Sequence, residues 1–393
     1  MKNSFLNTLK NEFLYALKNK IVFVIIFIIP IAVNFLLGYV LYNNQIRNVP
    51  MVIVDQDNSQ LSRTISQQFK ESEIFNVKYV SDVSGDVEKL FKEGKVRVGM
   101  IIPSDFEKDI TLLKSPTIMM VYDGSHISIA SAAKSKATEI LLTYRTGVLL
   151  KLLKGKLNMS DDTARKTAMN VQFVNRTLYN PAKSFKEFLV PGFGTAIVQT
   201  AIALLCAVGV RKRELSSQRV KRAGYIPGKI FFYTVLGTLS LMICTYIDTT
   251  FFDIPLRGSF RDVLILDAAF MLAVSSFCTA ISSWVGDAML SSTINAVLFI
   301  PSTIVAGYTW PVLSMPYIYQ QVAWFLPFYH YADNIRDLCL KGNTLDSMLP
   351  DIKWFIMTSA VFIVLGFIGV FRHGISAEPV KIECAGGEPD AAC

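Results

Sequence analysis

The placement of the apolar segments constrains this chain more than any other feature. One uncharged apolar stretch, residues 21–41, stands near the start. A long, mostly polar insertion with mixed strand and helix patterning follows. Five further apolar stretches then crowd the second half, at 188–210, 229–247, 263–284, 289–307 and 352–371. At about 1.5 Å rise per residue, some 20 apolar residues cross a hydrocarbon layer ~30 Å thick. The chain therefore reads as a membrane protein with six helical spans and a large domain between the first two. The third and fifth stretches are short for full spans, which leaves their ends soft. Composition agrees: 52% of the 393 residues are hydrophobic and only 18% are charged, too apolar for a soluble domain of this size.

Lysines and arginines in short loops orient such a chain, because they are retained on the cytoplasmic side. The N-terminal arm carries Lys2, Lys10, Lys18 and Lys20. The connector after the second span carries Arg211, Lys212, Arg213, Arg219, Lys221, Arg222 and Lys229 against one acid, Glu214, and Arg372 follows the last span. Six crossings put all three basic segments on one side. Both termini are thus expected in the cytoplasm and residues 43–187 outside it. The net charge of +8 then reflects topology and contact with anionic lipids, and no nucleic-acid partner is read from it. The first stretch exceeds a signal-peptide core and lacks a small-x-small cleavage site, so it reads as a retained anchor, 21–42. Cys206, Cys244 and Cys278 lie in spans and none lies in 43–187, so no disulfide framework is expected there. Of the three histidines none pairs at ligand spacing with another histidine or a cysteine, and no metal site is expected.

Within residues 1–20, Phe5, Leu6, Leu9, Phe13, Leu14 and Leu17 recur at helical spacing, with lysines around the polar side. That pattern predicts an amphipathic helix on the cytoplasmic face of the membrane. Pro30 should bend the first span. In the insertion, strands are expected at 51–54, 77–80, 96–102 and 118–122, alternating with helices at 59–71, 86–92 and 127–153, and a last strand at 171–174. The fold class is an α-helical polytopic membrane protein of six transmembrane helices with an inserted extracytoplasmic α/β domain. Residues 308–349 mix Trp310, Tyr317, Trp324 and Phe328 with Pro311, Pro316 and Pro327. Aromatic, proline-broken sequence suits the membrane interface or a re-entrant turn better than a spanning helix. The tail, 372–393, reads as disordered, and residues 385–393 as either a native end or an appended remnant.

Few motifs carry chemistry of their own. Val54-Asp55-Gln56-Asp57 resembles a phosphatase nucleophile loop, in which the first carboxylate attacks phosphorus and the second is the acid/base. No later magnesium-site lysine and acidic pair accompanies it, and a turn with a helix cap from Asp57 or Ser59 is the favoured reading. A membrane-anchored phosphatase using Asp55 and Asp57, and a non-transporting scaffold or receptor, stand as alternatives. No Gly-x-x-x-x-Gly-Lys-Ser/Thr loop occurs, so any ATP-driven work needs ATP and magnesium on another chain. Asp267, Asn34, Gln199 and Asn295 fall inside spans, where polar groups are functional candidates by default. Asp267 has a competing reading, reaching interfacial water from near the end of its span. The 211–229 connector serves either as positive-inside anchoring or as a short helix docked in a partner's groove.

The order of several pieces is specific in combination. They are Val54-Asp55-Gln56-Asp57-Asn58-Ser59, Gly94 to Phe106, Tyr122-Asp123-Gly124, Leu178-Tyr179-Asn180-Pro181, Phe188 to Gly192, Ala306-Gly307 to Pro311, Met315-Pro316, and Leu326-Pro327 to Arg336. Together they resemble the permease subunits of ABC-2-type transporters that carry a large extracytoplasmic domain between the first two spans. The resemblance implies a bacterial inner-membrane exporter of a drug, lipid or similar amphipathic cargo, with no enzymatic activity of its own. It implies cytoplasmic ABC ATPase subunits as partners, with a second copy or a related permease and, in some systems, a periplasmic adaptor. Arg211, Arg213, Glu214, Arg219, Lys221 and Arg222 would form the coupling loop. Residues 308–345 would form paired half-helices closing the outer side, with Trp310, Pro311, Met315, Pro316, Trp324 and Pro327 as gate candidates. The connector departs from the family pattern, with Ile226-Pro227 where relatives carry Thr-Pro.

Overall fold

Six helices among the described residues are long and apolar enough to cross a membrane: Lys20–Val40, Phe185–Gly209, Tyr225–Phe251, Phe260–Val285, Ala288–Val305 and Leu345–Arg372. The computed structural model describes residues 2–42, 45–82, 87–112, 114–168, 176–210 and 224–375. The chain divides into two units: residues 45–177 form one, and the segments before and after them form the other. The connector residues 211–223, the expected strand at 171–174 and most of the tail lie outside the described residues.

In the helical unit the fourth span is the hub. It packs against the second, third and sixth spans, and Phe270, Met271, Val274 and Cys278 on it are fully buried. The fifth span is two pieces, Ala288–Phe299 and Ser302–Val305, parted at Pro301. Pro30 deforms the first span through the turn before it. That turn, Val24–Ile28, widens to a π-helix, and Pro30 offers no N–H to the Ile26 carbonyl. The Ser240 hydroxyl from the third span donates to that carbonyl at 2.5 Å. In hydrocarbon a freed carbonyl needs such a partner.

The N-terminal helix, Lys2–Lys18, packs by a face that its apolar periodicity does not mark. Its packed face is the polar stripe Ser4, Thr8, Glu12 and Ala16, while Leu6, Phe13, Leu14 and Leu17 stay exposed. The stripe lies on the third span, where Gly224 and Gly228 leave room for the backbone. A Cβ at Gly224 would overlap Phe5, and one at Gly228 would come within 2.9 Å of the Thr8 Cβ. Lys229 also departs from its expected role as a loop cation. It is fully buried, bonded to the Glu12 carboxylate and to the Gly209 carbonyl, and the Tyr233 hydroxyl donates to Glu12 at 3.1 Å. With a charge partner supplied by the N-terminal helix, the third span begins at Tyr225, four residues before the expected start.

The inserted unit is a four-stranded sheet of order β2-β1-β3-β4, made of β1 Val49–Asp55, β2 Phe75–Ser81, β3 Val98–Ile102 and β4 Met119–Tyr122. β1 pairs in parallel with β2 and β3, and β4 runs antiparallel on β3. Alternation sorts the side chains: Met51, Ile53, Val98 and Met100 enter one core, Val52, Val54 and Ile101 the other. The first core is covered by α1 (Gln60–Glu71) and the early part of α4 (Ile127–Leu157), the second by α2 (Val87–Lys92). Two further helices, α3 (Phe106–Thr111) and α5 (Asp161–Ala168), were not expected from the sequence. Ser59 caps α1 by accepting from the Ser62 amide. Asp57 instead reaches α3, accepting from the Glu107 amide at 3.1 Å.

Two predictions follow from these contacts. Removing one partner of a buried ion pair costs about 3–5 kcal/mol, whereas an apolar replacement of both is close to neutral. Glu12→Leu alone should therefore lower the thermal midpoint of the detergent-purified protein strongly, and adding Lys229→Met should restore most of it. At Asp123 the hydroxyl and amide of Ser125, with Arg97, hold the carboxyl down to about 2. A depressed carboxyl stabilises the fold above its unfolded value of about 4 and loses that contribution as pH falls through 2. Hydrogen exchange at the β3–β4 pair should keep its protection down to about pH 4 and lose part of it below; Asp123→Asn should show that lower protection at neutral pH.

Candidate functional site

The sequence pieces 188–192, 306–311 and 326–336 meet at one joint. Pro191 lies inside the second span and cannot donate to the carbonyl four residues earlier. The helix nonetheless runs on from Phe185 to Gly209. Beside the proline the Gly192 amide donates to the Tyr308 hydroxyl at 2.9 Å, and that hydroxyl donates to the Phe188 carbonyl at 2.6 Å. The phenol thus braces the helix backbone next to Pro191. Only glycine fits beside it, because a Cβ at 192 would overlap the Tyr308 ring. Arg336 locks the joint from outside the ladder. Its Nη2 donates to the Tyr308 carbonyl at 2.9 Å, and its guanidinium lies 4.1 Å from the centre of the Phe188 ring and 4.3 Å from that of Tyr308. Burial pushes the Tyr308 phenol's pKa upward against the opposing pull of Arg336, so the hydroxyl stays a neutral donor and acceptor.

Below this joint the second span carries a polar stripe. Thr195, Gln199 and Ala203 recur four residues apart, one helical face. Thr195 bonds the Tyr331 hydroxyl at 3.3 Å, and that hydroxyl donates to Asp267 at 2.7 Å. Gln199 donates to Ser302 at 2.8 Å and to the Phe299 carbonyl at 3.3 Å. Asn295 donates to the Ala203 carbonyl at 3.1 Å. Three of the four intramembrane candidates, Gln199, Asp267 and Asn295, are therefore tied to the second span directly or through Tyr331. Asn34 stands apart and bonds Asp248 at 2.7 Å and the Cys244 carbonyl at 3.3 Å.

All four are fully buried. The expectation that Asp267 reaches interfacial water is corrected: the span that carries it is covered on several sides, and Tyr331 supplies its partner. One oxygen of each candidate, Asn34 Oδ1, Gln199 Oε1, Asp267 Oδ2 and Asn295 Oδ1, has no hydrogen-bond partner among the described residues. Buried polar groups of this kind hold helices together where lipid offers no hydrophobic drive for their association.

The segment after the fifth span contains two short helices, Tyr317–Phe325 and Pro327–Leu340. Pro311 precedes a single 3-10 turn, Val312–Ser314, and Met315 follows it. Pro316 precedes the first short helix and Pro327 opens the second. Trp310 and Trp324 are exposed. The Trp324 carbonyl lies 2.9 Å from His330 Nε2, whose ring also contacts Asp351 at 2.8 Å and stacks on Trp354. The coupling candidates Arg211, Arg213, Glu214, Arg219, Lys221 and Arg222 lie outside the described residues.

The Asp55 carboxylate has structural partners for both oxygens. One accepts from the Asp57 and Asn58 amides at 3.2 and 3.0 Å, the other from the Ser62 hydroxyl at 2.7 Å. With Asp57 engaged at α3, this geometry is a turn and two helix starts, and it disfavours the phosphatase alternative.

Sequence reasoning missed Tyr308, Thr195, Tyr331 and Asp248 as site residues. Tyr308 stood in a quoted piece, beside Gly307, and a proline-glycine pair inside a span signals a ladder needing outside partners. Asp248 lies one residue beyond the expected end of the third span, 229–247.

Tyr308→Phe removes the hydroxyl's bonds to the Gly192 amide and the Phe188 carbonyl, and Gly192→Ala displaces the ring; each should cost about 1–3 kcal/mol. Because both act on one contact, the double variant should unfold at nearly the midpoint of the worse single one. Additive losses would separate the two residues.

The ABC-2 family transporter protein model matches residues 20–368. Two Escherichia coli proteins named probable multidrug ABC transporter permeases are similar along most of their length. YbhR is 23% identical over 82% of this chain and 86% of its own, and YbhS is 21% identical over 88% and 91%. The Bacillus subtilis linearmycin resistance permease protein LnrN is 24% identical over 83% and 89%.

Proposed function

The chain belongs to the ABC-2 transporter family, and on that premise we propose that it is the membrane subunit of an exporter that moves amphipathic, drug- or lipid-like molecules outward. The single observation that carries the mechanism is the Tyr308 joint: the second span holds Pro191 and is braced beside it by the Tyr308 hydroxyl from the 308–345 segment. A helix with an internal proline is poised to bend there when the side chain that braces it withdraws.

In this reading ATP and magnesium bind cytoplasmic ATPase partners, and the 211–229 connector docks on them. ATP binding draws two permease chains together, either two copies or this chain with a related one. Their motion pulls the second span from Tyr308 and parts the helices of the 308–345 segment. Both termini face the cytoplasm of a bacterial inner membrane, and residues 43–187 face outward, where an adaptor has access to them. Exposed Met289, Val297 and Ile304 on the fifth span and Tyr317 and Ile318 on the outer segment offer apolar surface for lipid, cargo and a second permease chain. The names of the relatives, multidrug and linearmycin resistance permeases, support an amphipathic cargo and the outward direction.

The test is reconstitution with the ATPase expressed from the same gene neighbourhood. The pair should co-purify and drive efflux of a fluorescent amphiphile from liposomes. Arg213→Glu with Arg219→Glu should lower efflux at least tenfold while leaving the spans folded. Failure to retain any ATPase would remove the reading, and undiminished efflux in the variant would remove those arginines from docking.

A further inference from the structure

The long helix α4 outruns the sheet it packs on. Ala133 and Ala137 are fully buried on the sheet, and Ile140, Leu141 and Tyr144 pack at its edge. The sheet core takes no residue of α4 beyond Tyr144. Yet the apolar face continues: Val148, Leu149 and Leu152 lie with Arg145 at i, i+3, i+4 and i+7. Opposite them stand Phe106 and Ile110 of α3 and the extended segment 114–118 that enters β4. The trough between encloses about 630 Å³, within the range of sites for one drug-sized molecule, roughly 300–1,000 Å³.

Its walls are fixed by contacts unrelated to any ligand. Asp57 holds the start of α3, and the Tyr144 hydroxyl donates to the Leu61 carbonyl at 3.1 Å. Burial, with Glu107 nearby, pushes the Tyr144 phenol up to about 12, so it stays a neutral strut. Among the described residues, the charged side chains lining the trough are Lys114 from one wall and Arg145 from the other, with no acid beside them. Lys114 shares its charge with Asp109 at 3.0 Å, while Arg145 makes no ion pair among the described residues.

We propose that this trough is a binding site for a single-chain amphiphile with an anionic head, its tail laid along Val148, Leu149 and Leu152 and its head between Arg145 and Lys114. The two chains of a phospholipid exceed the space, and a cationic head would meet the like charge of Arg145, which no acid offsets among the described residues. Binding itself needs no transport. That it hands cargo to or from the export path rests on the exporter reading.

The experiment uses the full chain in lipid nanodiscs without ATPase, with two photoreactive probes: a diazirine-bearing dodecanoate and the matching dodecylamine. The anionic probe should label peptides from 106–118 and 141–152 at least fivefold more than the cationic one, and unlabelled dodecanoate should compete. Lys114→Glu with Arg145→Glu should abolish the preference, and Leu149→Trp should fill the trough and block labelling. Labelling of the spans serves as the folding control in every variant. Equal labelling by both probes, or labelling of the spans alone, would overturn the site. Labelled trough peptides without ATP-driven efflux would sink the exporter reading and leave the site. Efflux with an unlabelled trough would do the reverse.

Discussion

One hydroxyl between two backbone groups organises the helical unit. Pro191 weakens the second span inside a medium that cannot supply water, and each unmet amide or carbonyl there costs several kcal/mol. The Tyr308 phenol braces the backbone beside the proline through the Gly192 amide and the Phe188 carbonyl, which requires glycine at residue 192 and brings the segment after the fifth span against the second. Arg336 then follows, because a guanidinium stacked on Phe188 and Tyr308 and bonded to the Tyr308 carbonyl fixes the phenol's approach. The first span repeats the solution on a smaller scale, with Ser240 meeting the carbonyl that Pro30 leaves free.

The rest of the bundle is held by few polar contacts, and their placement separates rigid seams from yielding ones. Along the second span, Thr195 reaches Tyr331 and through it Asp267 of the fourth span, while Gln199 and the Ala203 carbonyl both reach the fifth span. These bonds tie that helix to the 308–345 segment, the fifth span and the fourth span together. At the opposite end, Glu12 and Lys229 clamp the N-terminal helix to the final carbonyl of the second span and the start of the third. Both ends of the 211–223 connector are thereby anchored to one ion pair.

Much of this architecture was legible in the sequence, for physical reasons. Span number follows from length and hydropathy alone, and the strands of the inserted unit follow from short apolar runs ended by Asp55, Pro103 and Asp123-Gly124. The partners were not legible. Nothing local says that Asp267 meets Tyr331, 64 residues away, or that Lys229 meets Glu12, 217 residues away. Lys229 misled because a lysine beside a basic loop looks solvated until its partner is known. The packing of the N-terminal helix was not legible either. Its apolar residues mark one face, whereas the face that meets the third span is Ser4, Thr8, Glu12 and Ala16, since small and polar groups allow close approach to Gly224 and Gly228.

The most direct test of the account is amide hydrogen exchange at Gly192 to Gln199, followed in the permease–ATPase complex without nucleotide and again after trapping with ATP and vanadate. If ATP binding withdraws the second span from Tyr308, these amides are protected in the first state and exchange at least tenfold faster in the second. Equal protection in both states, with efflux intact, would contradict it.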